Sequence, residues 1–440
     1  MNLGTRLRST MMRFIASESF LELKRTRSRL FDKGNITVPA VHYFHQVDDP
    51  YSFLVVQKLA RLHARYDIPF VPHLVGPPDP DFKGDEARYL ACAIADAKNI
   101  GEYYGVKVPT GNKIPDPQQV ELANSVLSAA LEADDIEAFA ASATVVGENL
   151  WRSHAEVIQF PTGTSHSDLS AGELLREKLG HYFGAMFYYE GEWFWGLDRL
   201  HLLEQRLIAG GFSRSTGDLS AELCVPPPKA LDSTGLKASG VTLEYFPSLR
   251  SPFTAIGHSR VADLVERSGV TLILRPVMPM MMRGIPAPKA KQLYIMMDAA
   301  REARFHGVPF GKFVDPFGEP VMRAFKLFPA AMAAGKGMAF IGAYLSAAFA
   351  EGVDVTTDQG LAAVAREAGL ELDQLKAASD TGDWESLLQD NIEAMNGAGL
   401  WGVPGFRVSS ANSDSVYSCW GQDRIWRVET EIVKQVNALL

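Results

Sequence analysis

The chain has 440 residues, 47 % hydrophobic and 22 % charged, with a formal net charge of -9. That length exceeds one ordinary core and predicts two domains, and the composition is that of a globular protein. The acidic balance argues against a general nucleic-acid binder, and no apolar run is long enough to span a bilayer, so neither a nucleic-acid nor a membrane partner is expected.

The N-terminal segment, residues 1–34, reads as an amphipathic helical region. Its basic residues include Arg6, Arg8, Arg13, Lys24, Arg25, Arg27 and Arg29. It lacks the uninterrupted apolar core of a signal peptide, and Glu18 and Glu22 break an organelle-targeting pattern. Met12, Phe14, Ile15, Phe20 and Leu21 are expected to pack on the body or on a second subunit. The three cysteines, Cys92, Cys224 and Cys419, are far apart and belong to no CxxC or CxxH pattern. They fit a reducing cytoplasm, and no metal site is expected.

Residues 35–210 form the first predicted domain. Ile36 to Tyr43 reads as a strand, and Asp49-Pro50-Tyr51-Ser52 opens a helix to about Tyr66. A second strand covers Ile68 to His73, and Gly76-Pro77-Pro78-Asp79-Pro80 stops regular structure. Asp85 to Leu179 reads as mainly helical. Two short strands follow, Ala185 to Tyr189 and Glu192 to Trp195, then a helix to about Ala209. His42 and His45 have no third ligand nearby and read as core or edge histidines.

Residues 211–240 are rich in Gly, Ser and Pro and read as a linker. Residues 241–440 then repeat the order. A strand at Val241 to Tyr245 leads to a helix from Pro252 to about Glu266, and Val270 to Arg275 is the next strand. Ala290 to about Asn396 reads as helical. A strand follows Pro404, another covers Val416 to Trp420, and the last helix runs from about Gln422. Gly397-Ala398-Gly399-Leu400-Trp401-Gly402 matches GxGxxG, but a helix precedes it and a strand follows, so no dinucleotide site is expected.

Three stations recur in the same order. Asp49-Pro50-Tyr51-Ser52 matches Ser251-Pro252-Phe253-Thr254. Phe183-Gly184-Ala185-Met186 matches Trp401-Gly402-Val403-Pro404. Trp195-Gly196-Leu197-Asp198-Arg199 matches Trp420-Gly421-Gln422-Asp423-Arg424. The expected fold class is α/β, as two tandem thioredoxin-like domains, each with an all-helical insertion.

At Ser251-Pro252-Phe253, Lys291-Gln292-Leu293-Tyr294 with Asp298, Gly402-Val403-Pro404 and Gly421-Gln422-Asp423-Arg424, the second half resembles a DsbA-like family. That family comprises the 2-hydroxychromene-2-carboxylate isomerases and kappa-class glutathione transferases. The resemblance implies glutathione as cofactor, with Ser251 on its sulfur and Lys291 on its glycine carboxylate. It places a cis-proline at Pro404, backbone pairing at Val403, and Gln422 and Asp423 at the γ-glutamyl end. The physics of these residue types agrees. A hydroxyl at a helix N-terminus stabilises a thiolate, and a lysine suits a carboxylate.

The first half departs from this pattern. Asp49 stands for the Ser, Glu86 for the lysine and Met186 for the proline, so it reads as a degenerate copy that pairs with the second domain. A homodimer is also compatible with the pattern. The expected activity is glutathione-dependent isomerisation of a conjugated aromatic-derived substrate. The alternatives are a kappa-type transferase acting on an electrophile or a non-catalytic scaffold. Disulfide exchange requires an attacking thiolate, and positions 251 and 254 carry none. The methionines at Met278 and Met280 to Met282 either line an apolar acceptor pocket or fill an interdomain contact.

Overall fold

The computed structural model describes residues 3–31, 39–152, 169–214, 223–231, 240–379, 383–411 and 413–438. Most of the predicted linker and the start of the first predicted strand lie outside these residues. The chain divides into two compact units. The N-terminal unit comprises Leu21–Pro227 and Pro288–Lys291. The C-terminal unit comprises Met1–Phe20, Pro228–Ala287 and Gln292–Leu440.

In the N-terminal unit, four strands form one sheet: β1 (Val41–His45), β2 (Phe70–Leu74), β3 (Met186–Tyr189) and β4 (Glu192–Trp195). Their order is β2-β1-β3-β4. β1 runs parallel to β2 and antiparallel to β3, and β3 pairs antiparallel with β4. Helix Pro50–Arg65 makes the parallel crossover. Asp49 caps it and Pro50 fills its first turn, where a missing N–H costs nothing. Leu54, Val55, Leu59 and Leu62 recur at helical spacing and are fully buried with Tyr43, Phe44, Phe187 and Phe194 of the sheet. The insertion between β2 and β3 contains helices Glu86–Tyr104, Pro117–Glu132, Ile136–Leu150 and Ser170–Lys178.

The C-terminal unit has the same strand order. Its strands are β5 (Val241–Phe246), β6 (Thr271–Leu274), β7 (Gly405–Ser410) and β8 (Ser413–Trp420), arranged β6-β5-β7-β8. The pairings repeat the parallel, antiparallel, antiparallel sense of the first sheet. Helix Pro252–Ser268 ends at Gly269, whose left-handed backbone (φ 63°) suits a residue without Cβ. The core joins Leu243, Tyr245, Phe406 and Val408 to Val261 and Leu264, and to Ile425, Val428 and Ile432 of helix Ile425–Asn437. Phe325, Phe328, Phe340, Ile341 and Tyr344 of the helical insertion complete it. Each such side chain contributes about 1.5–3 kcal/mol on burial.

Strand ends shift by one or two residues from the sequence reading, and three larger differences stand out. The N-terminal segment is two helices, Leu3–Ile15 and Glu18–Phe31, broken where the Ser17 hydroxyl accepts from Phe20 N. Met12 packs on the C-terminal unit's core and Leu21 is buried, while Phe14 is 47 % exposed in the single chain. β8 starts three residues early, because the polar run Ser413-Asp414-Ser415 carries no apolar alternation to mark it. A short helix, Pro80–Lys83, occupies the predicted break, capped by Asp79. Among the described residues no helix is long and apolar enough to cross a membrane, and no cluster of His, Cys, Asp and Glu could hold a metal.

Candidate functional site

Ser251 is the N-cap of the 17-residue helix Pro252–Ser268, with extended backbone at φ -96° and ψ 118°. Its Oγ accepts from Thr254 N at 3.1 Å, and its carbonyl accepts from Ala255 N at 2.9 Å. Pro252 has no N–H. Phe253 N–H is the first-turn donor left without a partner among the described residues. Nearby, Ser248 is 1 % exposed and its Oγ has no partner either. These groups sit at the positive end of a helix, where an anion is favoured.

The Val403-Pro404 peptide bond is cis. It stands directly before β7, whose first residue, Gly405, pairs with Phe246 at the end of β5. Sheet pairing thus brings the two loops together: Phe246 to Ser251 on one side, Gly402 to Pro404 on the other. Pro404 O accepts from Gly421 N at 2.8 Å, which ties in the third station. Gly402 is packed against Trp420, and a Cβ there would lie 2.0 Å from Trp420 Cε3.

At that third station Gln422 and Asp423 begin a single 3-10 turn before the last helix. Gln422 is 1 % exposed and its amide is committed at both ends. Its Oε1 accepts from Arg260 Nη1 at 2.6 Å, and its Nε2 donates to Glu302 Oε2 at 2.9 Å. Burial lowers the Arg260 guanidinium to about 10, while Glu302 and Asp423 pull it upward. Asp423 is half-buried, with Oδ1 3.6 Å from Arg424 Nη1. Sequence reasoning missed Arg260 and Glu302, because a charge in mid-helix normally reads as a solvated face.

Lys291 falls elsewhere. It belongs to the short segment that groups with the N-terminal unit, where its Nζ donates to Phe82 O at 2.8 Å. Burial lowers its ammonium to about 8. The C-terminal unit therefore assembles Ser251, Val403, Pro404, Gln422 and Asp423 around neighbouring loops, while Lys291 stands outside that set.

The corresponding loops of the N-terminal unit are built differently. Asp49 caps helix Pro50–Arg65 with both oxygens. Oδ1 accepts from Tyr51 N at 3.3 Å, and Oδ2 accepts from Ser52 N and Ser52 Oγ, each at 2.9 Å. Burial pushes this carboxyl up to about 6 against those hydrogen bonds. Ser52 Oγ in turn accepts from Ala185 N at 2.8 Å and Gln46 N at 3.2 Å. Ala185 O accepts from Gly196 N, as Pro404 O accepts from Gly421 N. Hydrogen bonding therefore sets Ala185, rather than Met186, in the place of Pro404. The error is one residue of strand register, which local sequence does not fix.

A cavity of about 10 Å³, room for about one water, lies beside Asp49 and is lined by Gln46, Lys83, Tyr89, Phe183 and Trp195 among others. Lys83 is 3 % exposed and its Nζ donates to Glu86 Oε1 at 2.8 Å. Sequence reasoning put the acidic Glu86 alone at this position and missed Lys83, which the unexpected helix Pro80–Lys83 delivers. His45 is buried against Tyr43, at 2.9 Å from Nδ1 to the phenol oxygen, and burial lowers it to about 3. His42 pairs with His73. His45 is thus a core histidine and His42 a half-buried one on the same strand.

Residues 242–433 match the family model of the DSBA-like thioredoxin domain. The C-terminal half carries a DsbA-like thioredoxin domain. Among curated proteins none matches the chain. The solved structures similar to it include a 2-hydroxychromene-2-carboxylate isomerase, at 19% identity and a TM-score of 0.37, covering 44% of this chain and 95% of that one. Cytosolic disulfide reductase DsbM from Pseudomonas aeruginosa is similar at 20% identity and a TM-score of 0.34, covering 44% of this chain and 99% of that one. Oxidoreductase DsbA from Xylella fastidiosa is similar at 13% identity and a TM-score of 0.28, covering 48% and 92%.

Proposed function

We propose that the C-terminal domain binds glutathione, holds its sulfur as a thiolate at Ser251, and serves an isomerase-type reaction. The observation that carries this reading is the open donor set at the helix start. Ser251 Oγ accepts one backbone bond and keeps its O–H to give, and Phe253 N–H lies in the same turn without a partner. Two donors at a helix N-terminus fit a bound thiolate and lower its pKa. When bound, glutathione supplies a nucleophile that adds reversibly to a conjugated, aromatic-derived substrate and is not consumed.

The chain's own residues have separable tasks in this reading. Ser251 and Phe253 hold the sulfur. Val403 makes no backbone hydrogen bond to another described residue outside its own loop, which leaves it for the extended tripeptide. Asp423 faces the ammonium end, and Gln422 fixes Arg260 and Glu302 behind it. The family resemblance assigns the glycine carboxylate to Lys291, and a separate variant tests that role. Disulfide exchange is not the chemistry of this site, since residues 251 and 254 are Ser and Thr. Cys92, Cys224 and Cys419 are buried, and burial raises the Cys224 thiol to about 12.

We also infer that the two halves are tandem copies. Supporting this, Asp49 and Ser251 cap matching helices, and Val75 N→His45 O recurs as Val277 N→Pro247 O. Glu204 and Glu429 are buried at equivalent points of the two last helices.

Calorimetric titration with glutathione tests the reading. A charge-assisted hydrogen bond contributes about 1.5–3 kcal/mol, so Ser251→Ala should weaken binding by one to two orders of magnitude above the bound thiol's pKa. Negligible heat for wild type, Ser251→Ala and Lys291→Ala alike would sink it. An absorbance scan with chromene-type and electrophilic aromatic acceptors then separates isomerase from kappa-type transferase.

A further inference from the structure

The helix Leu3–Ile15 carries a second surface of interest. Its inner face is anchored within the C-terminal unit: Met12 packs on the main core, and Ala16 O just beyond it accepts from Arg304 Nη1 at 3.0 Å. Leu7, Met11 and Phe14 follow at spacings of four and three and so share one face. A helical projection sets that face opposite Met12 and Ala16. It is turned to solvent, with Leu7 63 %, Met11 56 % and Phe14 47 % exposed. Arg6 and Arg13 flank the stripe on one side and Arg8 on the other. All three are exposed, and none pairs with another described residue. No acidic residue occurs before Glu18.

An anchored helix that turns Leu, Met and Phe outward between unpaired arginines is not a solvated face. We propose that it is a docking surface for an anionic lipid bilayer, onto which the protein settles reversibly and in plane. The stripe would enter the headgroup–acyl boundary, and the arginines would extend their apolar stems and place their charges on lipid phosphates. Charge selects this occupant over a second copy of the chain. Two such helices packed stripe to stripe would bring Arg6, Arg8 and Arg13 against their own equivalents. Three arginines and three apolar side chains make a weak anchor, sensitive to salt and to lipid charge.

Sedimentation of the full chain with vesicles tests this. Phosphatidylcholine alone is compared with phosphatidylcholine containing one-third phosphatidylglycerol. Expected is binding to the anionic vesicles alone, weakened by salt. Leu7→Glu combined with Met11→Glu, or Arg6→Gln with Arg8→Gln and Arg13→Gln, should lower it by about tenfold or more. All five positions are exposed, so thermal unfolding should not change, and that check separates lost docking from lost folding. Three results would overturn the proposal. They are no binding to anionic vesicles, equal binding by wild type and variants, or a dimer in velocity sedimentation that Met11→Glu dissolves.

Discussion

Asp49 allows a quantitative test of how the N-terminal unit is built. Its carboxyl is 7 % exposed and lifted by burial from 3.8 to about 6. The folded chain therefore holds this proton where the unfolded chain has released it. The contribution to stability is greatest below about pH 4 and is lost as pH rises to about 6 and beyond. At about 1.4 kcal/mol per pH unit, the lift from 3.8 to about 6 amounts to about 3 kcal/mol. Asp49→Asn removes the titration but keeps a good N-cap. Its amide oxygen can replace Oδ2 as acceptor for Ser52, and the long bond from Tyr51 N is forfeited, at a cost of about 1 kcal/mol. The variant should be about 2 kcal/mol more stable than wild type at pH 8 and slightly less stable at pH 4. Urea unfolding at both pH values, followed by tryptophan fluorescence, measures the difference, and all other titrating groups cancel between the two proteins. If the variant is the weaker protein at pH 8, or its stability falls with pH as steeply as wild type, the buried-carboxyl argument is wrong.

Further outcomes follow from the same hydrogen-bond accounting. Ser52→Ala should cost about 3–5 kcal/mol, because two backbone N–H groups and Asp49 lose their shared partner. Thr254→Val should cost about 1 kcal/mol, since only the 3.4 Å bond from Ser248 N is lost; similar losses in paired denaturation curves would contradict the contrast. Gly402→Ala drives a Cβ into the Trp420 ring and should cost about 1–3 kcal/mol, read as a lower thermal midpoint. Glu429 is 1 % exposed and accepts from Leu231 N and pairs with Arg267. Glu429→Gln should cost about 1–2 kcal/mol, because the charge-assisted bond to Arg267 becomes a neutral one while Arg267 keeps Asp263 at 2.7 Å, and unchanged stability would show the pair to be ornamental.

What could be read from sequence was what local chemistry decides. Asp49-Pro50 and Ser251-Pro252 announce helix starts because a cap followed by proline works within one turn. The strands rich in β-branched and aromatic residues were legible for the same reason. Ala185 was missed because its equivalence to Pro404 depends on which residue of β3 faces Trp195, a property of two strands together. Lys83 was missed because Gly76-Pro77-Pro78 reads as a stop, and the four-residue helix after it gains its place from packing. Glu204 and Glu429 look like ordinary helix charges until Tyr66, whose phenol donates to Glu204 at 2.8 Å, and Arg267 arrive from distant segments.

Two differences, Asp49 against Ser251 and Ala185 against Pro404, set the two helix starts apart. A carboxylate has two oxygens, and Asp49 uses them to satisfy both Tyr51 N and Ser52 N. It also accepts from the Ser52 hydroxyl, whose oxygen in turn accepts from Ala185 N and Gln46 N. Every donor at that end is then consumed within the chain, and the carboxyl's negative charge occupies the place an incoming anion would need. Ser251 has one oxygen and satisfies Thr254 N alone, and Pro404 has no N–H to offer Thr254. The half-buried Phe253 N–H and the buried Ser248 hydroxyl are left without partners among the described residues, and a buried polar group rarely stays unpaired. Hydrogen-bond conservation thus closes the first site on itself and leaves the second one short of an acceptor. A thiolate is an acceptor of the right charge for that position.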